Sequence, residues 1–230
     1  MLFMARVEPT PQDPSRGDAR ASTAPPPARL SVVHSLRVRP LAGESVSGDA
    51  VAGIAWSRGT LLALVDGLGH GPPAAEAASA FLASVREDRE LPLDLMFARA
   101  NAALIGTCGA VAAVARVDEE TRAGEFAGIG NVEALLAPAN QSRPVHFVSI
   151  AGMLGGAPRT VRPQPFRFDP DDILMMHSDG IRRDFDVGLL RAMPLQAAAE
   201  AIVRAHSRRN DDAACAIMRA LAPADVAPTG

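Results

Sequence analysis

Four acidic positions, one of them a pair, stand where apolar segments of the chain end beside glycines or predicted turns. They are Asp49, Asp66, Asp179 and the pair Asp211-Asp212. Asp66 and Asp179 repeat one design, in which an apolar run leads to a carboxylate and the next glycine lets the backbone turn sharply. Carboxylates gathered at strand ends would repel one another and lose hydration. Mg²⁺ and Mn²⁺ relieve both effects, because these hard cations prefer carboxylate, carbonyl and water oxygens.

Two other interpretations of these residues stay open at the level of pattern. An aspartate before a glycine is also the ordinary composition of a turn, so a set of unrelated turns competes with a shared metal site. A dinucleotide-binding loop is the weaker alternative, because Gly67-x-Gly69 has Pro72 where the third glycine should stand. Asp66 would also place a negative charge beside the pyrophosphate in such a loop.

The composition removes several other chemistries. All 23 Lys and Arg residues are arginine, which excludes a Schiff-base lysine and a Walker A phosphate loop. Tyrosine is absent, so no tyrosine can act as a nucleophile. Neither Cys108 nor Cys215 has the Cys-x5-Arg spacing of cysteine phosphatases, and we predict both to be buried apolar residues. Ser178 lacks a Gly-x-Ser-x-Gly elbow and is not predicted to be a nucleophile.

The length and composition predict one globular domain between two tails. The chain has 230 residues, of which 48% are hydrophobic and 21% charged. We expect a disordered or loosely attached tail at 1–29, a domain at 30–221 and a flexible tail at 222–230. A net charge of -3 gives no electrostatic case for nucleic acid, and no apolar run could span a bilayer. The two cysteines favour reduced thiols and a cytoplasmic location.

The elements that must position the aspartates form an α+β pattern. Strands are predicted at 31–39, 50–56, 60–65, 110–117, 123–129, 132–137, 145–150, 166–168, 173–177 and 213–218. Helices are predicted at 72–87, 93–105 and 195–208. Because the strands cluster with hairpin spacing, we expect two antiparallel β-sheets packed as a sandwich. Helices would flank both sheets, giving four layers in the order α-β-β-α.

Four motifs occur in the order seen in a known family. They are Asp66-Gly67-Leu68-Gly69-His70-Gly71, Gly130-Asn131, Ser178-Asp179-Gly180 and Asn210-Asp211-Asp212. In this order the chain resembles bacterial PPM-type phosphatases of the protein phosphatase 2C superfamily. The resemblance is greatest to the sporulation-type SpoIIE phosphatases, particularly the short stand-alone stress-response type called RsbX. It spans residues 30–221, and the first and third motifs are specific only in combination.

This resemblance implies a hydrolase, a metal-dependent serine/threonine protein phosphatase with two Mn²⁺ or Mg²⁺ ions at one edge of the sandwich. The implied metal ligands are Asp49, Asp66, Gly67, Asp179 and Asp211, with Asp212 as the alternative to Asp211. Asp66 would bridge the ions, and Gly67 would contribute its carbonyl oxygen. Asp66 and Asp179 would be catalytic through a metal-bound water, which is nucleophilic near neutral pH.

Two further residues and one departure bear on the implied activity. His70 is a candidate phosphate contact or proton donor to the leaving serine oxygen, and otherwise a turn residue that begins a helix. Asn131 is interpreted mainly as a residue that shapes a β-turn. The family often carries Thr or Ser shortly after the second aspartate of the pair, where this chain has Ala213-Ala214. This departure keeps a second function open, a catalytically degenerate phosphatase-like binding module in the same kind of signalling pathway.

The resemblance also implies a partner. Phosphatases of this type act on phosphoserine or phosphothreonine in STAS-domain regulators of bacterial partner-switching or stressosome pathways. We therefore expect a phosphorylated STAS-domain protein as the substrate, in signal transduction of a stress response, and neither nucleic acid nor membrane as a partner.

Overall fold

The computed structural model describes residues 29–221. The predicted tail at 222–230, and all but the last residue of the predicted tail at 1–29, lie outside the described residues. One sheet, the β1 sheet, has the strand order β1 (Ser31–Arg39), β10 (Ala213–Leu221), β9 (Ile173–His177), β6 (Glu133–Ala137) and β7 (Val145–His146). The other, the β2 sheet, has the order β2 (Asp49–Trp56), β3 (Gly59–Gly67), β4 (Ala110–Asp118), β5 (Ala123–Ile129) and β8 (Gln164–Arg167). The helices are α1 (Gly71–Glu87), α2 (Leu93–Ala103), α3 (Leu189–Ala192) and α4 (Leu195–His206).

The two sheets are antiparallel and pack face to face, which confirms the predicted α+β sandwich. Strand β3 shows why, because its side chains alternate between the two faces of the sheet. Leu62 and Leu64 point into the core between the sheets, whereas Leu61 and Val65 pack under α1 and α2. Burying each such leucine stabilises the fold by about 1.5–3 kcal/mol.

The β1 sheet is covered in the same way by α4. Ala214 and Met218 of β10 face the core between the sheets, whereas Cys215 and Ile217 face α4. Burial raises the pKa of the Cys215 thiol to about 12, as expected of an inert apolar residue. Cys108 is exposed in the turn before β4, so the prediction that it is buried was wrong. No helix within residues 29–221 has both the length and the apolar character needed to cross a membrane.

Several predicted elements differ from the structure in their bounds, and three of the differences have a clear physical reason. The strand predicted at 145–150 is reduced to β7, because the chain then leaves this sheet and Ile150 bridges Ile129 of the other sheet. Helix α3 was not predicted, since its four residues are too few for a periodic signal. Helix α4 ends two residues before the predicted position 208, because Ser207 is extended and bridges Ile181.

Candidate metal centre

The β2–β3 ladder brings the first two aspartates together. Asp49 is the first residue of β2, and it lies directly opposite Asp66 near the end of β3. Opposite residues of an antiparallel pair have Cα atoms about 4.5–5.5 Å apart and point to the same face. The register of this hairpin therefore forces two carboxylates into proximity at one edge of the β2 sheet.

The other three aspartates lie at the ends of strands of the β1 sheet, at the same edge of the sandwich. Asp179 follows β9, whereas Asp211 and Asp212 precede β10, and the two strands are antiparallel neighbours. The strand ends therefore lie side by side. The carboxylates of Asp179, Asp211 and Asp212 all act electrostatically on Asp66, so the aspartates of the two sheets converge.

The convergence is electrostatically unfavourable for the protein alone. Burial, followed by the charge of Asp66, raises the pKa of Asp49 to about 8. Burial, followed by the charge of Asp179, raises the pKa of Asp66 to about 7. The pKa of Asp211 is raised by the same two causes, burial and then Asp179. Each shift means that the ionised form lacks a compensating positive charge.

Arginines close to the cluster supply little of that charge, since Arg208 lowers the pKa of Asp211 less than burial and Asp179 raise it. Arg39 donates a hydrogen bond of 3.0 Å to the carbonyl oxygen of Asp211, and Arg208 donates one of 2.9 Å to the carbonyl oxygen of Asp179. Both guanidinium groups thus bind main-chain oxygens at these two positions. In the part of the chain that the structure describes, none of the five aspartates forms an ion pair with an arginine or histidine.

The donor set fits hard divalent cations. Its side-chain groups are carboxylates, and their repulsion and raised pKa values would be relieved by bound cations. Between residues 29 and 221, no three Asp, Glu, His or Cys side chains are grouped so as to hold one ion by themselves. Ions such as Mg²⁺ bind one or two carboxylates and retain several waters, so a site for them does not need three side chains on one ion.

The two members of the Asp211-Asp212 pair have different surroundings. Asp212 is 3% exposed, and its carboxylate accepts hydrogen bonds from the backbone N–H of Leu41 at 2.8 Å and of Gly48 at 3.0 Å. Both oxygens of Asp212 are therefore used to hold the β1–β2 connection in place. The half-buried Asp211 is the better candidate ligand, and its role stays a prediction.

Gly67 and His70 lie where β3 passes into α1. Gly67 is buried, and a Cβ at this position would stand 2.2 Å from the carbonyl oxygen of Ala74, so only glycine fits. His70 is exposed at the residue before α1, with its Nδ1 2.6 Å from Oε1 of Glu44. The structure thus places His70 at the edge of the site beside a carboxylate, consistent with either of its two interpretations.

Two polar residues make contacts with the aspartates that the sequence pattern did not predict. Nδ2 of Asn131 donates a hydrogen bond of 2.7 Å to Oδ2 of Asp179, beyond the turn-forming role expected of it. The hydroxyl of Ser178 donates one of 2.6 Å to Oδ2 of Asp49. The only sequence signals for these contacts were the Gly130-Asn131 and Ser178-Asp179-Gly180 motifs.

The sequence matches the model of one known protein family. The model of the SpoIIE family, described as stage II sporulation protein E, matches residues 57–228. The phosphoserine phosphatase RsbX of Bacillus subtilis (strain 168) is 26% identical over 140 residues, which cover 60% of this chain and 69% of RsbX.

Solved structures agree with the family match. One similar structure comes from work on the bacterial stressosome, described as a modular system that has been adapted to control secondary messenger signalling. It has a TM-score of 0.78 and 29% sequence identity, and the match covers 82% of this chain and 100% of that one. RsbX in complex with magnesium has a TM-score of 0.73 at 20% identity, with 84% and 98% covered. The catalytic domain of the serine/threonine phosphatase PstP with two manganese ions has a TM-score of 0.67 at 16% identity, with 84% and 100% covered. Since the family model spans most of the sequence, this chain belongs to the SpoIIE family.

Proposed function

We propose that the chain hydrolyses phosphoserine and phosphothreonine in a protein substrate, using two Mn²⁺ or Mg²⁺ ions held at the aspartate edge. The observation that carries this proposal is the pair formed by the buried Asp49 and the half-buried Asp66, which lie opposite each other and are joined by Asp179 and Asp211 from the second sheet. A fold that brings uncompensated carboxylates together at this cost favours the binding of a cationic ligand.

The ions, when bound, supply an activated water for attack on phosphorus and neutralise charge on the phosphoryl oxygens. The residues of the chain hold the ions and organise their surroundings. Asp49, Asp66, Asp179 and Asp211 would hold the ions together with the carbonyl oxygen of Gly67. Asp66 lies opposite Asp49 and experiences the charges of Asp179 and Asp211. His70 would donate the proton that the departing serine oxygen requires, or contact the phosphate.

We infer the substrate class from the family relationship. RsbX is a phosphoserine phosphatase, and the relative with the TM-score of 0.78 comes from work on the stressosome. Both support a phosphorylated STAS-domain regulator of a stress-response pathway as the partner, acted on in the cytoplasm.

The test is hydrolysis of a phosphorylated STAS domain with Mn²⁺, followed by mass spectrometry, with an Asp66→Asn variant beside the parent. Asp118→Asn is the control, because it removes a carboxylate at the opposite end of the same sheet, away from the aspartate cluster. We expect loss of phosphate with the parent and with Asp118→Asn, and none with Asp66→Asn. A parent that cleaves a small phosphate ester but leaves the STAS domain phosphorylated would redirect the substrate. A parent inactive on both would favour the degenerate binding module.

A further inference from the structure

The hydroxyl of Ser178 lies at the junction of the two sheets. Ser178 directly follows β9 of the β1 sheet, whereas Asp49 begins β2 of the other sheet. Ser178 is fully buried, and its Oγ donates a hydrogen bond of 2.6 Å to Oδ2 of Asp49. This bond fastens a carboxylate of one sheet to the strand end of the other.

The direction of this bond is fixed by the neighbouring strand. The backbone N–H of Ala214 donates a hydrogen bond of 2.9 Å to Oγ of Ser178, so the hydroxyl accepts from β10 and gives its single proton to Asp49. The backbone N–H of Ser178 in turn donates to the carbonyl oxygen of Ala214 at 3.1 Å. Two bonds to one β10 residue hold Ser178 in place, and they do not depend on the Thr or Ser that the family often carries near Ala214.

We propose that Ser178 is a positioning residue that holds Oδ2 of Asp49 so that the carboxylate is preorganised for a divalent cation. This inference rests on the proposed metal site. The neighbouring Asp179 is itself a candidate ligand. In the Ser178-Asp179-Gly180 motif, Ser178 thus orients a carboxylate of the β2 sheet, and Asp179 provides a carboxylate from the β1 sheet.

A neutral donor suits this role better than a charged one. A hydroxyl orients the carboxylate while leaving its negative charge for the ion, whereas a guanidinium at the same place would compete with the ion. The arginines near the site leave the carboxylates free in the same way, since Arg39 binds the carbonyl oxygen of Asp211 and Arg208 binds that of Asp179. Outer hydrogen bonds to metal ligands commonly affect metal affinity by about 10–100-fold.

The experiment is a Mn²⁺ titration by isothermal calorimetry on the parent and on Ser178→Ala, each confirmed to be folded by circular dichroism. Ser84→Ala is the matched control, because Ser84 is a buried serine on α1 that is not part of the aspartate cluster. We expect Ser178→Ala to bind Mn²⁺ about 10–100-fold more weakly than the parent, with Ser84→Ala close to the parent.

A double variant separates positioning from general damage to the fold. In an Asp49→Asn background, Ser178→Ala is expected to cause little further loss of affinity, because the carboxylate that it orients is already gone. Equal losses in both backgrounds would overturn the proposal. If Ser178→Ala does not fold, Ser178→Cys keeps the size with a weak donor and is expected to give an intermediate loss.

The proposed metal site and the proposed role of Ser178 can be tested separately. A parent that binds no Mn²⁺ would overturn the metal site and this inference with it. A parent that binds Mn²⁺ alongside a folded Ser178→Ala, or Ser178→Cys, of unchanged affinity would overturn the role of Ser178 alone.

Discussion

Asn131 donates a hydrogen bond of 2.7 Å from Nδ2 to Oδ2 of Asp179, joining the turn after β5 to the end of β9. The bond fixes one oxygen of the carboxylate that links the β1 sheet to the aspartate cluster. Asn131 thus supports Asp179 as Ser178 supports Asp49.

Removing this support should weaken metal binding. We expect Asn131→Ala to need at least several-fold more Mn²⁺ for half-maximal phosphatase activity, because the orientation of Asp179 is lost. The measurement is activity on a phosphopeptide across a Mn²⁺ titration. Asn140→Ala is the control, since Asn140 is an exposed loop asparagine. An unchanged Mn²⁺ requirement in Asn131→Ala would contradict a supporting role.

Without divalent cations, stability should fall as the pH rises. The pKa values of Asp49 and Asp66 are raised in the folded state, so the folded protein retains protons that the unfolded chain releases above about pH 4. We therefore expect the free energy of unfolding in EDTA to decrease from about pH 4 to about pH 8, where the higher of the two pKa values lies.

Urea unfolding at a series of pH values measures this effect. Saturating Mn²⁺ should reduce or reverse the decrease, because cations bind the deprotonated carboxylates. Asp66→Asn should also show a shallower decrease, since one of the two carboxylates is gone. A free energy of unfolding in EDTA that does not change between these limits would show that the carboxylates are not destabilised as described.

The role of His70 as a proton donor can be tested with two substrates, of which only one has a leaving group that needs a proton. If His70 is the donor, His70→Gln should slow hydrolysis of a phosphoserine peptide by about 100-fold or more. Hydrolysis of p-nitrophenyl phosphate, whose leaving group departs without a proton, should change far less. His146→Gln provides the control, because His146 is also exposed. Equal losses on the two substrates would favour a phosphate contact, and no loss on either would favour a residue that only begins α1.

Gly67 should not tolerate a side chain. The Cβ of alanine would stand 2.2 Å from the carbonyl oxygen of Ala74, so β3 and α1 would have to separate. We expect Gly67→Ala to lower the free energy of unfolding by about 1–3 kcal/mol and to impair activity. Urea unfolding checks this, with Gly156→Ala as a control at a position where a Cβ meets nothing within 4 Å. Parental stability in Gly67→Ala would contradict the close contact.

The sequence allowed the layers and the aspartates to be predicted because both depend on local patterns. Strands β1, β5 and β9 have the predicted bounds, since apolar periodicity specifies them directly. The contacts of Ser178 and Asn131 could not be predicted in the same way. They join residues 129 and 48 positions apart, and they depend on how two sheets pack rather than on any local pattern.

The different roles of Asp211 and Asp212 also could not be predicted from a local pattern. Adjacent aspartates are equivalent by composition, and only the fold shows that the carboxylate of Asp212 binds the backbone at Leu41 and Gly48. Likewise, β7 was predicted too long because an apolar run does not reveal that the chain passes from one sheet to the other.

A Mn²⁺ titration of the metal-stripped parent and of Asp66→Asn, by isothermal calorimetry, tests the central claim most directly. We expect two bound ions in the parent and a marked loss of binding in Asp66→Asn, because Asp66 lies opposite Asp49 and experiences the charges of Asp179 and Asp211. Absence of Mn²⁺ binding by the folded parent, or undiminished binding by Asp66→Asn, would contradict it.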